Sequence, residues 1–345
     1  MGVNTKTHGN GNGGSPKGFG LDRSKHLESR EAGLSMEVKL LISVLGIYSC
    51  YLSSGMLQEL IYAYKTEEKK GFTSTLFLLW VQCVVNVVFA FLAMQVYGRS
   101  GDKLPQDLFS TAGFAYIGAM VCSLEALKYI NFPTKELGKS CKMIPVMLFG
   151  VLFAKKRYSM RDYLCVALIT AGIVAFNLTG SHRGQEKENS TYGLCLLAFS
   201  LILDGVTGSA QERLKAACKP TVHEMMFFMN AWALAILTVA AFVSGQWIEG
   251  MTFCLENSAI LTAVLGFSLA AALGQNFIYF TISNFNPLVC TTITTTRKFF
   301  TIVFSVLIFG HTISTKQWGG VAMVFTGIGL EMRGKYQRHH AKQTQ

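Results

Sequence analysis

Residues 287–309 have the sequence PLVCTTITTTRKFFTIVFSVLIF, an apolar run long enough to cross a lipid bilayer as one helix. Two adjacent cations, Arg297 and Lys298, lie near the middle of this run. A charge at that depth costs on the order of several kcal/mol, and such charges usually line a water-filled pathway. The run therefore predicts a membrane protein with a pathway for an anionic substrate. A structural ion pair between Arg297 and a buried acid is the alternative.

The composition also predicts a protein that crosses the membrane many times. Half of the 345 residues are hydrophobic and only 15% are charged, whereas about a quarter of the residues of a soluble domain are charged. The apolar residues are grouped into runs with the length of a membrane-spanning helix. We therefore predict an all-α membrane protein with ten transmembrane helices. The predicted spans are 40–62, 74–97, 108–130, 133–153, 161–179, 192–212, 222–245, 258–282, 287–309 and 317–333.

The loop charges predict how the chain is oriented. Lys and Arg are concentrated in the loops on the same side as the two termini, and basic loops stay in the cytosol, so both termini are expected to be cytosolic. The net charge of +11 follows from this topology, and no nucleic-acid partner is needed to explain it. The sequon Asn189-Ser190-Thr191 falls in a predicted lumenal loop, where Asn189 is a candidate for glycosylation.

The two halves of the chain resemble each other. Residues 139–173 match residues 294–328, which lie 155 positions further on, and this register pairs Lys142 with Arg297. With five spans in each half, the second copy enters the membrane upside down, an arrangement typical of secondary transporters. The predicted division is a disordered cytosolic tail 1–35, a first five-helix repeat 36–180, a second five-helix repeat 181–334 and a cytosolic tail 335–345.

Four cations are expected to converge where the halves meet. Lys139 and Lys142 lie on one helical face of the fourth span, and Arg297 and Lys298 lie in the ninth. Four positive charges in a low dielectric require an anion or buried acids nearby. A diphosphate fits, because Arg grips phosphate oxygens in a fork and Lys acts as a compact charge.

Other polar residues within the spans are candidate substrate ligands. Glu59 has no cation one turn away on its inner side, so it either offsets the cation cluster or binds a nucleobase. Glu125 and Lys128 are instead spaced for an intrahelical ion pair. No cysteine, histidine or carboxylate pattern predicts a metal, a cofactor or a catalytic residue. The candidates besides the cations are Gln58 and Glu59 in the first span, Gln211 in the sixth, and Gln275, Asn276 and Tyr279, which form a polar stripe on the eighth.

Three motifs carry a family resemblance. The segments GKSCKMIPVML, TTTRKFF and KQWGGVAMVFTGIGLE resemble the nucleotide-sugar transporter family of the drug/metabolite transporter superfamily, and in particular its UDP-galactose transporter-related branch of the endoplasmic reticulum. The resemblance implies ten helices in two inverted halves. It also implies that Lys139, Lys142, Arg297 and Lys298 bind phosphate and that Glu59 lies at the cavity.

The function implied by this resemblance is an antiporter that moves UDP-galactose or UDP-glucose into the lumen in exchange for a nucleoside monophosphate. An ATP/ADP exchanger on the same scaffold stays open, since members of the same branch are implicated in that exchange. The expected location is the membrane of the endoplasmic reticulum, with the Golgi membrane as second choice because the chain ends without a dilysine signal.

Two further classes of protein fit the sequence less well. A membrane-embedded enzyme acting on a lipid diphosphate would need paired acids for a metal or a histidine at a membrane edge, and the sequence shows neither. A structural scaffold leaves the buried cations unexplained.

Lys135 and Glu136 occupy positions where members of the resembled family carry an uncharged pair, so the entrance to the substrate pathway is expected to differ here. The base, the sugar and the oligomeric state, a homodimer included, are not determined by the sequence.

Overall fold

The computed structural model describes residues 35–65, 71–98, 104–140, 159–179, 190–218, 220–285, 287–309 and 313–343. Within these ranges the chain forms eleven helices and no strand. The helices are α1 Met36–Ala63, α2 Thr75–Tyr97, α3 Gln106–Ala126, α4 Phe132–Lys139, α5 Met160–Thr179, α6 Thr191–Cys218, α7 Val222–Val243, α8 Gln246–Glu256, α9 Ser258–Asn284, α10 Pro287–Phe309 and α11 Thr315–Gln343.

Seven helices among the described residues are long and apolar enough to span a membrane: α1, α2, α3, α6, α7, α9 and α10. The prediction of an all-helical, multi-pass membrane protein is thereby confirmed. The other three predicted spans coincide with α4, which is described over only eight residues, and with α5 and α11. The count of ten spans stays a prediction.

Helix α8 was not expected, because the ten-span prediction leaves residues 246–257 as a loop. The chain turns from α7 into α8 at Gly245, whose φ of 74° lies in the left-handed region that favours glycine. Helix α8 packs on α2, where the Trp247 and Trp80 rings meet edge to face at 6.0 Å between centroids. At eleven residues it is too short to read as a span.

The backbones of α5 and α11 touch. A Cβ atom added to Gly320 would lie 2.7 Å from the carbonyl oxygen of Gly172, so both positions require glycine. Gly172 also faces Val324, and Gly327 faces Ile169. Gly327 lies 155 positions after Gly172, and Val324 lies 155 positions after Ile169. Each contact therefore becomes the other when both residues are replaced by their counterparts, in agreement with the register of the predicted repeat.

A large hydrophobic core closes one end of the bundle. It includes Ile61, Leu124, Phe132, Leu237 and Ile260, all near the helix ends opposite to the start of α1. We call this end the closed face, and the end where α1 begins the N-terminal face. Among the described residues, tight packing of aromatic and aliphatic side chains leaves no path for a polar solute through this core.

A chain of hydrogen bonds reinforces the closed face. The hydroxyls of Tyr62 and Thr75 lie 3.1 Å apart, and Thr75 donates to Glu125 at 2.9 Å. Lys128 lies 2.8 Å from the same carboxylate. The predicted intrahelical pair of Glu125 and Lys128 is therefore confirmed, and it also helps to fasten α2 against α3.

Candidate functional site

A cavity of about 430 Å³ runs from the middle of the bundle to the N-terminal face. It reaches that face between Val222, the first residue of α7, and Ile282, near the end of α9. Its volume is in the range of small-molecule sites. Among the described residues its lining combines aromatic, thioether and amide side chains: Tyr51, Gln82, Asn86, Tyr116, Met120, Gln211, Met225, Met226, Met229, Asn230 and Gln275, with Val222, Ala271, Ile278 and Ile282.

Two of the predicted polar ligands line this cavity. Gln275 accepts a hydrogen bond from the Tyr51 hydroxyl at 3.4 Å, and the Gln211 amide lies 3.4 Å from the sulfur of Met229. Asn276 is half-buried on α9 and is not part of the lining. The side chain of Tyr279 lies outside the described residues.

Arg297 does not line the cavity itself, but it contacts Tyr51, which does. Its guanidinium lies over the Tyr51 ring, 4.9 Å from the centroid, and its Nη1 donates to the Thr301 hydroxyl at 3.3 Å. The Nε atom is buried without a hydrogen-bond partner among the described residues. No described carboxylate lies within 4.0 Å of this guanidinium, so the ion pair proposed as a structural alternative does not form with the described acids.

The lysines of α4 and α10 meet near the end of α4. Lys298 donates from its Nζ to the carbonyl oxygen of Lys139 at 3.0 Å, where the carboxyl end of a helix favours a cation. The ammonium of Lys139 pairs with Asp204 of α6 at 2.6 Å. Three of the four predicted cations thus lie on adjoining helices. Lys142 lies outside the described residues.

The first-span candidates Gln58 and Glu59 take part in contacts between helices at the closed face. Gln58 accepts a hydrogen bond from the buried ammonium of Lys135 on α4, and Glu59 accepts one from Ser305 of α10 at 2.9 Å. Lys135 also lies 3.3 Å from Glu136. In this state both residues join α1 to its neighbours, and neither lines the cavity. Asn189, the glycosylation candidate, lies outside the described residues.

Sequence reasoning missed the amide groups of α2 and α7. Asn86 donates from Nδ2 to the Oδ1 of Asn230 at 3.0 Å, and Asn230 donates to the carbonyl oxygen of Met226 at 2.7 Å. The Oε1 of Gln82 and the Oδ1 of Asn86 are buried and have no hydrogen-bond partner in the described structure. The available signal was the spacing of Gln82 and Asn86, which puts two amides on one face of a very apolar helix.

Comparison with known proteins assigns the family. Residues 39–335 match the UAA transporter family. This chain belongs to that family. As the three motifs predicted, it is a member of the nucleotide-sugar transporters of the drug/metabolite transporter superfamily, and hence a membrane transporter.

Curated relatives support the same assignment. Solute carrier family 35 member B1 of Bos taurus is 42% identical over 301 residues, which cover 86% of this chain and 94% of the relative. The protein of the same name from Xenopus tropicalis is 40% identical over 85% of this chain and 93% of its own length. A homologue from Drosophila melanogaster is 35% identical, with 85% and 90% coverage.

The fold also has an experimental counterpart. A chain whose structure is titled only "Crystal structure of protein" superposes with a TM-score of 0.54 at 13% identity. The match covers 86% of this chain and 97% of that one. At this identity the likeness concerns the arrangement of helices and carries no information on the substrate.

Proposed function

We propose that this protein is an antiporter of the endoplasmic reticulum membrane that exchanges two phosphate-bearing nucleotides by alternating access. Its working parts are then the two inverted repeats, 36–180 and 181–334. The observation that carries this proposal is the position of Arg297 against Tyr51, because it puts a half-buried guanidinium behind the wall of the cavity. This cation attracts an anion that enters the cavity, and Lys298 and Lys139 extend the positive charge along α10 and α4.

The charge balance of the cation cluster supports a diphosphate. Asp204 offsets Lys139, and the carboxyl end of α4 stabilises Lys298. The direct contacts of Arg297 among the described side chains are an aromatic face and a hydroxyl, and neither carries a negative charge. Arg binds phosphate oxygens bidentately and is weakly hydrated, so a site of this kind suits a desolvated diphosphate.

The shape of the bundle supports alternating access. The cavity reaches the N-terminal face and a packed core fills the other end, as expected for one of the two end states of a transporter. The reciprocal contacts of Gly172 and Gly327 support two repeats that move against each other. If the N-terminal face is cytosolic, as the loop charges predict, this state accepts substrate from the cytosol.

Two substrate pairs are candidates. The first, UDP-galactose or UDP-glucose in exchange for a nucleoside monophosphate, follows from the resemblance of the three sequence motifs to the UDP-galactose transporter-related branch. The second candidate, ATP in exchange for ADP, is supported by the buried acceptor oxygens of Gln82 and Asn86. These two acceptors match the two N–H hydrogens of the adenine amino group better than the single N–H of uracil. The relatives' names mention neither pair.

Exchange is tested directly by loading vesicles. Proteoliposomes that contain the purified protein and are preloaded with ADP or UMP should take up labelled ATP or UDP-galactose several-fold faster than empty ones. The reason is that an exchanger reorients toward the outside only when it carries a counter-substrate. Protein-free liposomes are the control. Equal uptake into empty and preloaded vesicles would rule out an obligatory exchanger.

Orientation is tested by access of a protease. In sealed microsomes an added protease is expected to remove an epitope tag from either terminus, because basic loops and both termini lie on the cytosolic side. A sugar chain attached at Asn189, detected as a mass shift that a glycosidase reverses, would mark the lumenal side. Protection of either tag until detergent is added contradicts the predicted topology.

A further inference from the structure

We infer that Gln82 and Asn86 of α2 form the subsite that recognises the base of the substrate through its N–H groups. This inference rests on the proposed nucleotide transport and adds the residues that read the base. It starts from two buried amide oxygens, each in a residue only 6% exposed, that line the cavity and accept no hydrogen bond from the described protein.

The hydrogen-bond network fixes the orientation of the Asn86 amide. Asn230 commits its Nδ2 to the carbonyl oxygen of Met226, which can only accept. The Oδ1 of Asn230 must therefore accept, and Asn86 supplies the donor from its Nδ2. The remaining Oδ1 of Asn86 is thereby left as an acceptor in the cavity. Gln82, one helical turn away, presents a second acceptor on the same face.

Two neighbouring acceptors call for a ligand with two donors. In the empty cavity water can supply them, but a ligand that displaces this water must supply donors in its place. A site of buried polar groups rejects an analogue that leaves those groups unpaired. The exocyclic amino group of adenine carries two N–H hydrogens, whereas uracil has a single N–H. The pair therefore favours a base with an amino group.

The surrounding lining suits a flat heterocycle. Tyr116 and Met120 of α3 and Met229 of α7 contribute to the same cavity, and aromatic rings and thioethers pack well against base faces. Arg297 lies behind Tyr51 on the α1 side of this cavity. A nucleotide held by its phosphates near Arg297 can thus extend its base toward α2 and α7.

The test compares two ligands that differ only in the amino group. The full-length protein in detergent is titrated by calorimetry with ADP and with purine riboside 5′-diphosphate, which lacks the amine. Wild type should bind ADP about tenfold or more tightly, in line with the discrimination provided by a well-placed amide–base pair. UDP, with one N–H, should bind more weakly than ADP.

Variants assign the discrimination to the two amides. In Gln82→Leu and Asn86→Leu the affinity ratio between ADP and purine riboside 5′-diphosphate should fall toward one, while the amine-free ligand still binds. The control is Gln106→Leu, which removes an amide that bonds Trp232 outside the cavity and should keep the wild-type ratio. Equal binding of both ligands by wild type, or an unchanged ratio in the two α2 variants, overturns the inference and leaves nucleotide transport intact. Absence of binding by ADP, purine riboside 5′-diphosphate and UDP alike overturns the proposed function itself, and with it this inference.

Discussion

Replacement of Arg297 by Ala should lower the affinity for a nucleoside diphosphate about 10- to 150-fold while the amount of folded protein stays normal. The charge-assisted bond that is lost contributes about 1.5–3 kcal/mol, and each 1.4 kcal/mol corresponds to a factor of ten. Folding should survive, because no described carboxylate lies within 4.0 Å of this guanidinium. Binding titrations and the yield of monodisperse protein are measured together.

Two further variants separate charge from geometry. Arg297→Lys should restore part of the affinity, since Lys keeps the charge and loses the fork. Arg161→Ala removes a guanidinium that bonds Gln337 and the backbone of α11 away from the cavity, and it should leave nucleotide affinity unchanged. Normal expression of Arg297→Ala with wild-type affinity would show that this cation does not bind substrate.

Replacement of Gly320 by Ala should destabilise the protein by about 1–3 kcal/mol or more, the usual cost of overpacking a close contact. The new Cβ would lie 2.7 Å from the carbonyl oxygen of Gly172 and 3.0 Å from the backbone nitrogen of Phe176. Neither is the end of a flexible side chain, so α5 and α11 must move apart. The apparent melting temperature in detergent should fall by several degrees, at roughly 2–4 °C for each kcal/mol.

The adjacent glycine supplies the control. No heavy atom lies within 4 Å of a Cβ built on Gly319, and Ala is a better helix former than Gly, so Gly319→Ala should be neutral or slightly stabilising. If Gly320→Ala and Gly319→Ala have the same melting temperature, the contact between α5 and α11 does not govern stability. A fall for Gly320→Ala alone locates the effect in this helix pair.

The sequence alone determined the class of protein and pointed to the cations within its spans. Apolar runs of membrane-span length predict helices because a backbone in lipid must satisfy its own hydrogen bonds. Arg297 and Lys298 stand out in such a run because buried charge is costly and is kept only for a purpose. The Glu125 and Lys128 pair was also predictable, since a spacing of three residues on a helix is a local property.

Only the tertiary structure decided which polar residues share a cavity. Gln58 and Glu59 bond Lys135 and Ser305 at the closed face, and this depends on how α1 packs against α4 and α10. Gln82 and Asn86 line the cavity because α2 faces α7 there. Helix periodicity assigns a residue to a face, but the partner of that face is chosen by packing between segments that lie 77 to 246 residues apart in these contacts. The packed core at one end of the bundle was decided in the same way, because it is built from side chains of seven described helices that meet only in the folded bundle.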